Sequence, residues 1–138
     1  MTPRQSVRME RVNGIGGFFF RANSQQGLID WYRDNLGVET MNPSGAGGVW
    51  MQDAGPTVFS PFPADTDYFG RPDQTYMLNF RVNDLDALLA QLKAAGANVD
   101  ERVEYLEGIG RFGWVTDPEG NRIELWQPAA SADPAAAG

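Results

Sequence analysis

The hydrophobic pattern of this chain alternates between two periods. Two stretches repeat apolar residues every three to four positions, which predicts an α-helix with one buried face. Each stretch lies between a polar residue that can cap a helix and a glycine that can end one. The apolar faces are Leu28, Ile29, Trp31, Tyr32 and Leu36 in the first stretch, and Leu85, Leu88, Leu89 and Leu92 in the second. The caps and closing glycines are Asn23 or Ser24 with Gly37, and Asn83 or Asp84 with Gly96.

Short apolar stretches elsewhere alternate with polar residues at every second position, which predicts β-strands. In the first half these strands are Ile15 to Ala22, Val38 to Met41, Gly48 to Gln52 and Thr57 to Phe62. In the second half they are Tyr76 to Val82, Val99 to Tyr105, Arg111 to Thr116 and Arg122 to Gln127. Pro61 to Gln74 is rich in proline and aspartate and predicts a loop, either a lid at a binding site or a plain connector.

A short sequence recurs 60 positions further along the chain. Phe20, Arg21 and Asn23 recur as Phe80, Arg81 and Asn83. The predicted helices and turns follow in the same order, so the simplest organisation is two β-α-β-β-β units that share one core. We therefore predict an α+β fold in which a curled mixed sheet has its helices on the outer face. The expected divisions are a polar leader at 1–11, one domain at 12–128 with units 12–62 and 75–128 joined by loop 61–75, and a disordered tail at 129–138.

Composition excludes several classes of function. The net charge of -7 and the pI near 4.4 argue against a nucleic-acid surface, which needs clustered Lys and Arg. The chain has no cysteine and no histidine, which removes disulfides, thiolate chemistry and the commonest ligands of transition metals. No stretch predicts a signal peptide or a membrane span, so we expect a cytoplasmic protein without a membrane partner.

Two motif matches fail in their context. Gly108 to Gly113 fits the G-x-G-x-x-G pattern, but no β-α-β unit surrounds it, so a glycine-rich hairpin is the better interpretation than a dinucleotide site. The stretch from Asp65 begins like a calcium loop, yet Phe69 occupies a ligand position and Tyr76 replaces the closing glutamate. Neither motif predicts a cofactor.

Three segments resemble the vicinal oxygen chelate superfamily, which includes glyoxalase I, bleomycin and fosfomycin resistance proteins and extradiol dioxygenases. They are Ile29 to Gly37 (IDWYRDNLG), Val82 to Leu89 (VNDLDALL) and Asp117 to Trp126 (DPEGNRIELW). The resemblance covers roughly residues 12 to 128. It implies two β-α-β-β-β units that form a cup, and members of this size commonly pair as homodimers, so we expect a homodimer.

The resemblance also implies where a metal would be bound. The superfamily's ligand positions on the first and last strands of each unit fall on Gly17, Phe59, Met77 and Glu124. Only Glu124 can bind a hard metal, whereas a catalytic divalent site needs about three protein ligands. We therefore predict no metal cofactor, with a divalent ion kept only for the alternative of an atypical site that adds carboxylates from the Asp65 to Asp73 loop.

Strand parity predicts the residues that share the cup with Glu124, since side chains two positions apart point to the same side of a sheet. The predicted ligand-binding residues are Phe19, Arg21, Phe59, Met77, Asn79, Arg81 and Trp126. Thr57 and Arg122 have the same parity, and Trp50, Phe112 and Trp114 could add aromatic wall, although their parity is less certain. Opposite positions such as Phe80, Ile123 and Leu125 are apolar and should contact the helices.

These residues support more than one function. Glu124 could be a structural carboxylate paired with an arginine, from Arg21, Arg81 or Arg111, or a pocket group that binds a cationic or hydrogen-bond-donating ligand. The first hypothesis is a protein that binds a small organic molecule in an aromatic cup without a metal. The alternative is a lyase, isomerase or dioxygenase-type enzyme that uses Glu124 as a base or as a ligand of an atypical metal site. A third class is a structural or partner-binding dimer whose cup is filled by its own side chains.

Overall fold

The computed structural model describes residues 9–40 and 47–130 of the 138-residue chain. Regular structure in these residues consists of two helices and five strands. The helices are α1 (Gln25–Leu36) and α2 (Leu85–Ala94). The strands are β1 (Leu78–Arg81), β2 (Asn98–Val99), β3 (Glu104–Leu106), β4 (Gly110–Thr116) and β5 (Arg122–Pro128).

All five strands belong to one mixed sheet in the order β1-β5-β4-β2, with β3 also paired to β4. The β1 and β5 strands run parallel, and every other pair is antiparallel. A parallel pair needs a crossover connection, which here includes α2 and the three intervening strands. The mixed open sheet and the helices confirm the predicted α+β class.

Parity on β1 and β5 follows the prediction. Phe80, Val115, Ile123 and Leu125 point toward the helices and join the hydrophobic core. The helices contribute Leu28, Tyr32, Leu85, Leu89 and Leu92 to the same core. The opposite side of the sheet, called here the cup face, carries Asn79, Arg81, Phe112, Trp114, Thr116, Arg122, Glu124 and Trp126 at matching register positions. One face of the sheet therefore forms the core, and the other is available for a site.

Both helices begin and end where their caps predict. Ser24 caps α1 and accepts a hydrogen bond from the Gly27 N–H, and Gly37 ends the helix in the left-handed conformation with φ 70°. Asp84 caps α2 in the same way, and its side chain accepts from the Ala87 N–H. Neither helix in the described part of the chain is long and apolar enough to cross a membrane.

The turn between β4 and β5 fastens α1 to the sheet. The Asp117 carboxylate accepts from the backbone N–H of Glu119 at 2.8 Å and of Asn121 at 3.0 Å, as expected for an aspartate that bonds its own backbone two residues on. It also accepts from the Tyr32 hydroxyl at 2.7 Å. Glu119 in turn accepts from the backbone N–H of Asn23 at 2.7 Å and of Ser24 at 2.8 Å. Two segments that carry the superfamily resemblance are thus joined by the buried hydrogen bond between Tyr32 and Asp117.

The strands predicted in the first half are not formed. Ile15 to Ala22, Gly48 to Gln52 and Thr57 to Phe62 contain no strand residue, and Met41 of the Val38 to Met41 stretch lies outside the described residues. A strand needs a neighbouring backbone, and the β1 edge, where such a neighbour would pair, has no further strand in the described sheet. Glycines and prolines in these stretches weaken strand propensity further.

The second half differs from prediction only in detail. The single strand expected at Val99 to Tyr105 is divided into β2 and β3, and Tyr76 to Val82 shortens to β1. The glycine-rich segment forms the β3–β4 hairpin, as expected, and Leu106 pairs with Gly110 at its end. The β-α-β-β-β order is therefore realised in the second unit, with one strand divided in two.

Candidate functional site

Glu124 lies in the middle of the cup face and is only 8% exposed. Its Oε1 accepts a hydrogen bond from the Asn79 side-chain amide at 2.7 Å, and its Oε2 accepts from the Tyr68 hydroxyl. Asn79 is held beside it by the parallel register, in which the two residues are partners on β1 and β5. A buried carboxylate needs compensating donors, and here both of those donors are neutral.

The partners of Glu124 differ from the arginines considered in the sequence. Arg81 donates to the backbone oxygen of Asp53 at 2.9 Å, and Arg111 forms a two-fold ion pair with Asp86 at 2.8 and 3.0 Å. Arg21 lines a separate cleft. The prediction of an arginine partner was therefore wrong for Arg81 and Arg111, because each is bound to an acceptor outside the sheet.

Trp114 forms the floor of the site beside Glu124. The two residues are antiparallel partners on β4 and β5, and Trp114 is fully buried although it lies on the cup face. It is covered by the Arg102 and Arg122 guanidinium groups, 4.8 and 5.2 Å from the ring centroid, and by the Tyr68 ring in edge contact at 6.2 Å. Among the described residues its indole N–H has no hydrogen-bond partner, which is uncommon for a buried polar group.

Tyr68 comes from the loop at Pro61 to Gln74 and reaches Glu124 across the cup face. Burial, followed by the hydrogen bond to Glu124, raises the pKa of its phenol, so it stays a neutral donor. Its ring stacks on Phe62 at 5.7 Å and 15°. A cavity of about 290 Å³ adjoins it, lined by Asp67, Tyr68, Gly70, Arg102 and Arg122. The loop therefore contributes directly to the site.

The remaining predicted site residues differ in how deeply they are buried. Trp126 is buried, donates to the Ile109 oxygen at 2.9 Å and stacks on Phe112 at 6.1 Å, and Met77 is half-buried. Phe19 and Phe59 are 94% and 85% exposed, since the strands expected to carry them are absent. Their role in binding stays a prediction, while Asn79 and Trp126 share a sheet face with Glu124.

A second concavity lies at the N-terminal end of α1. It is an open cleft of about 830 Å³ lined mainly by polar side chains from α1, the loop and the β4–β5 turn. These are Phe20, Arg21, Ala22, Asn23, Gln25, Arg71, Asp73, Glu119 and Asn121. Arg71 in this cleft is engaged by Asp73 and by the Glu119 backbone oxygen, both at 3.0 Å. Arg21 thus belongs to this cleft and has no bond to Glu124.

The residues at the site do not fit a metal ion. No group of three or more His, Cys, Asp and Glu side chains within residues 9–40 and 47–130 is placed to hold one. Glu124 is the one carboxylate at the four positions implied by the resemblance, and both its oxygens already accept hydrogen bonds. A divalent site needs about three protein ligands, so no chemical step is assigned to a metal here.

Sequence reasoning missed the two groups that define the site. In the sequence, Tyr68 belongs to a loop that predicts either a lid or a connector, and the strand parity of Trp114 is uncertain. The antiparallel register, in which Trp114 faces Glu124, would have placed the indole. The contact of Tyr68 with a residue 56 positions away has no local pattern in the sequence. The loop's aromatic residues, Phe62, Tyr68 and Phe69, were the available signal.

Comparisons with known proteins agree with this fold. The chain resembles TnmS3, an antibiotic binding protein from Streptomyces sp. CB03234, at 25% identity and TM-score 0.56, covering 88% of this chain and 100% of that one. It shares the fold of a lactoylglutathione lyase from Agrobacterium tumefaciens at 14% identity and TM-score 0.55, covering 86% and 96% of the two chains. No curated protein matches it significantly. The glyoxalase-like domain model matches residues 17–126, and the chain therefore belongs to the glyoxalase-like domain family.

Proposed function

We propose that this glyoxalase-like protein binds a small organic molecule on its cup face, at Glu124, without a metal. The observation that carries the proposal is a nearly buried carboxylate whose partners Asn79 and Tyr68 are neutral. A charge that is buried without a cation is costly for the fold and is more typical of a site than of a core. The resemblance to an antibiotic binding protein supports the same class of ligand.

The walls of the site also suit an organic ligand. Phe112 supplies partly exposed aromatic surface, the buried rings of Trp114 and Trp126 lie on the same face, and Glu124 with Asn79 supplies a few fixed polar groups. Binding sites for small molecules commonly combine apolar walls with a small number of such groups. Tyr68 fills part of the space in this structure, so binding requires the loop to move. A cup filled by its own side chains is the third hypothesis, which the test below separates from ligand binding.

The test compares ligand binding in matched glutamate variants. A panel of small aromatic compounds, including antibiotics, is screened by thermal shift, and any binder is measured by calorimetry. A ligand present at about 100 times its Kd should stabilise the native protein by about 2.7 kcal/mol. Glu124→Gln should lose this effect, whereas Glu107→Gln, at an exposed turn residue, should keep it. Equal binding to Glu124→Gln would place the site elsewhere, and a panel without any binder would favour the structural hypothesis.

Metal independence is tested separately. Protein purified without chelators should contain no stoichiometric metal, and calorimetric titration with divalent ions should give no binding at the cup face. The reason is the donor set, since the chain has no histidine and no group of three or more Asp and Glu side chains among the described residues could hold an ion. A stoichiometric ion whose binding is lost in Glu124→Gln would contradict the proposal and support the alternative metalloenzyme.

The enzyme hypothesis stays open in one form. Glu124 could act as a base on a bound substrate if Tyr68 moves away from Oε2, since that oxygen would then have free lone pairs. If a substrate is found, Glu124→Gln should abolish turnover while leaving the shape of the site unchanged. Undiminished turnover in that variant would exclude Glu124 as the base.

The homodimer and the cytoplasmic location remain predictions. The exposed aromatic residues Phe18, Phe19 and Phe59 of the first half lie outside the described sheet, and a second copy could cover them. Light scattering at several concentrations should give the mass of a dimer, about twice 15.2 kDa. A monomeric mass throughout would contradict the dimer.

A further inference from the structure

Tyr68 occupies the Glu124 site as a bound phenol would. Its hydroxyl donates to Glu124 Oε2, its ring stacks on Phe62, and its edge contacts Trp114. These are the three kinds of contact that an aromatic hydroxyl compound needs, namely an acceptor, a stacking partner and an apolar floor. The chain's own side chain therefore shows what chemistry the site accepts.

Few hydrogen bonds attach the backbone of Tyr68 to the rest of the protein. Apart from its side-chain contacts, its backbone oxygen accepts from Arg122 Nε at 3.2 Å and its N–H bonds to Thr66 within the loop. The loop is anchored after Tyr68, where Arg71 donates to the Glu119 backbone oxygen at 3.0 Å and the buried Gln74 makes three hydrogen bonds to the backbone of Tyr76 and Arg122. The Tyr68 segment can thus leave the cup face while Gln74 stays in place.

The unpartnered indole N–H of Trp114 adds a second requirement to the site. It is fully buried without a hydrogen-bond partner among the described residues, and the Tyr68 ring lies in edge contact with the Trp114 ring at 6.2 Å. A ligand hydroxyl that takes the place of the Tyr68 hydroxyl can donate to Glu124 Oε2 and, beside the Trp114 ring, accept from Trp114 Nε1. A hydroxyl has this dual capacity, whereas an ammonium group can only donate.

The choice between a hydroxyl and an ammonium group depends on Trp114. An ammonium ligand could donate to Glu124, but it would leave the indole N–H without an acceptor. The guanidinium groups over the Trp114 ring are already paired, Arg122 with Asp100 at 3.3 Å and Arg102 with Glu104 at 3.5 Å, so their charges are largely compensated. A neutral hydroxyl can serve both Glu124 and Trp114.

We propose that the natural ligand of this site is a neutral aromatic compound whose hydroxyl replaces that of Tyr68 between Glu124 and Trp114. Tyr68 is then an internal competitor that the ligand displaces when it binds. This inference rests on the proposed function and specifies its ligand class. It narrows the expectation of a cationic or hydrogen-bond-donating ligand at Glu124 to a neutral donor.

The experiment uses three probes that share a ring system but differ in hydrogen bonding. Naphthol can donate and accept, methoxynaphthalene can only accept, and naphthylmethylamine is a cation that can only donate. Each is titrated by calorimetry into the wild-type protein, Tyr68→Ala and the control Tyr105→Ala, which removes an exposed tyrosine from β3. Circular dichroism confirms that each variant is folded.

Naphthol should bind Tyr68→Ala about tenfold or more tightly than it binds the wild type, since a hydrogen bond to a carboxylate no longer has to be displaced. Its affinity for Tyr105→Ala should equal that for the wild type. Methoxynaphthalene and naphthylmethylamine should gain less in Tyr68→Ala, because neither can both donate to Glu124 and accept from Trp114. Equal gains for all three probes, or no naphthol binding to Tyr68→Ala, would overturn the inference.

A second measurement follows ligand binding in the wild-type protein and uses a variant only to assign one signal. The wild type is labelled with meta-fluorotyrosine, and its four tyrosine signals are followed by fluorine NMR, with Tyr68→Phe assigning the Tyr68 signal. Naphthol should shift the Tyr68 signal toward that of an exposed tyrosine, and a bound naphthol that leaves it unchanged would overturn the inference. The proposed function is judged separately, by whether any panel compound shows binding that Glu124→Gln abolishes.

Discussion

The hydrogen bond between Tyr32 and Asp117 offers a sharp test of how the fold is held together. The change is Tyr32→Phe, which removes one oxygen and leaves the aromatic ring in the core. In the wild type the Tyr32 hydroxyl donates to Asp117 Oδ2 at 2.7 Å, and both residues are 4% exposed. At such burial a water molecule cannot easily replace the lost donor, so the loss in free energy of unfolding should be measurable.

The magnitude follows from what Asp117 keeps. A hydrogen bond to a charged group contributes about 1.5 to 3 kcal/mol. After the change, Asp117 still accepts from the Glu119 N–H, the Asn121 N–H and the Asn121 side-chain amide at 2.8, 3.0 and 2.7 Å. The carboxylate is therefore not left without donors, and we expect a loss of about 2 kcal/mol, near the lower part of that range. For a domain of this size, this loss of stability should lower Tm by roughly 6 to 10 °C.

The assay is urea unfolding followed by circular dichroism, with Tyr105→Phe as the control. Tyr105 is exposed on β3, so its hydroxyl should contribute little to the free energy of unfolding. Tyr32→Phe should lower the midpoint while the denaturant slope stays unchanged. If the loss is below about 0.5 kcal/mol, within the range of ordinary surface substitutions, the reasoning from this buried bond is refuted.

Two further predictions concern pH and backbone geometry. Burial, first of all, raises the pKa of Tyr32, Tyr68 and Tyr76, so the stability linked to these protonated phenols is fully present below about pH 10 and is lost as pH rises further. Tyrosinate absorbance should therefore show fewer than four tyrosines ionising near pH 10 in the native protein, and all four ionising together would contradict this. Gly110→Ala should cost at least about 2 kcal/mol in urea unfolding, because φ is 135° and the added Cβ would lie 2.1 Å from the Gln127 oxygen. Gly16→Ala, where no atom lies within 4 Å, is the control, and equal stability of the two variants would count against the clash.

The sequence predicted those parts of the fold that depend on local chemistry. Ser24 and Gly37 cap α1 because their side chain and backbone requirements are met within a few residues. The parity of β5 was predictable for the same reason, since alternation needs only the strand itself. Ile123 therefore lies in the core, and Glu124 lies on the opposite face.

The remaining features depend on contacts that the sequence does not encode locally. Strand formation in the first half requires a partner backbone, so the alternation at Ile15 to Ala22 was not sufficient to predict a strand. Glu124 is paired with Asn79 on the neighbouring strand β1 and with Tyr68 from a loop with no periodic pattern, rather than with an arginine. The sequence therefore predicts that the Glu124 carboxylate has hydrogen-bond donors, but it does not predict which residues supply them.

The hydrogen bonds from Asn23 and Ser24 to Glu119 have a consequence for the nascent chain. They join residues 96 and 95 positions apart, so the start of α1 leaves the ribosome long before its partner is made. At about 5 to 20 residues per second, the helix waits roughly 5 to 20 s, and a helix of 12 residues is marginal alone in water. Translation of the turn between β4 and β5 is thus the step that allows the start of α1 to dock, and chains released before Glu119 should remain substrates for chaperones.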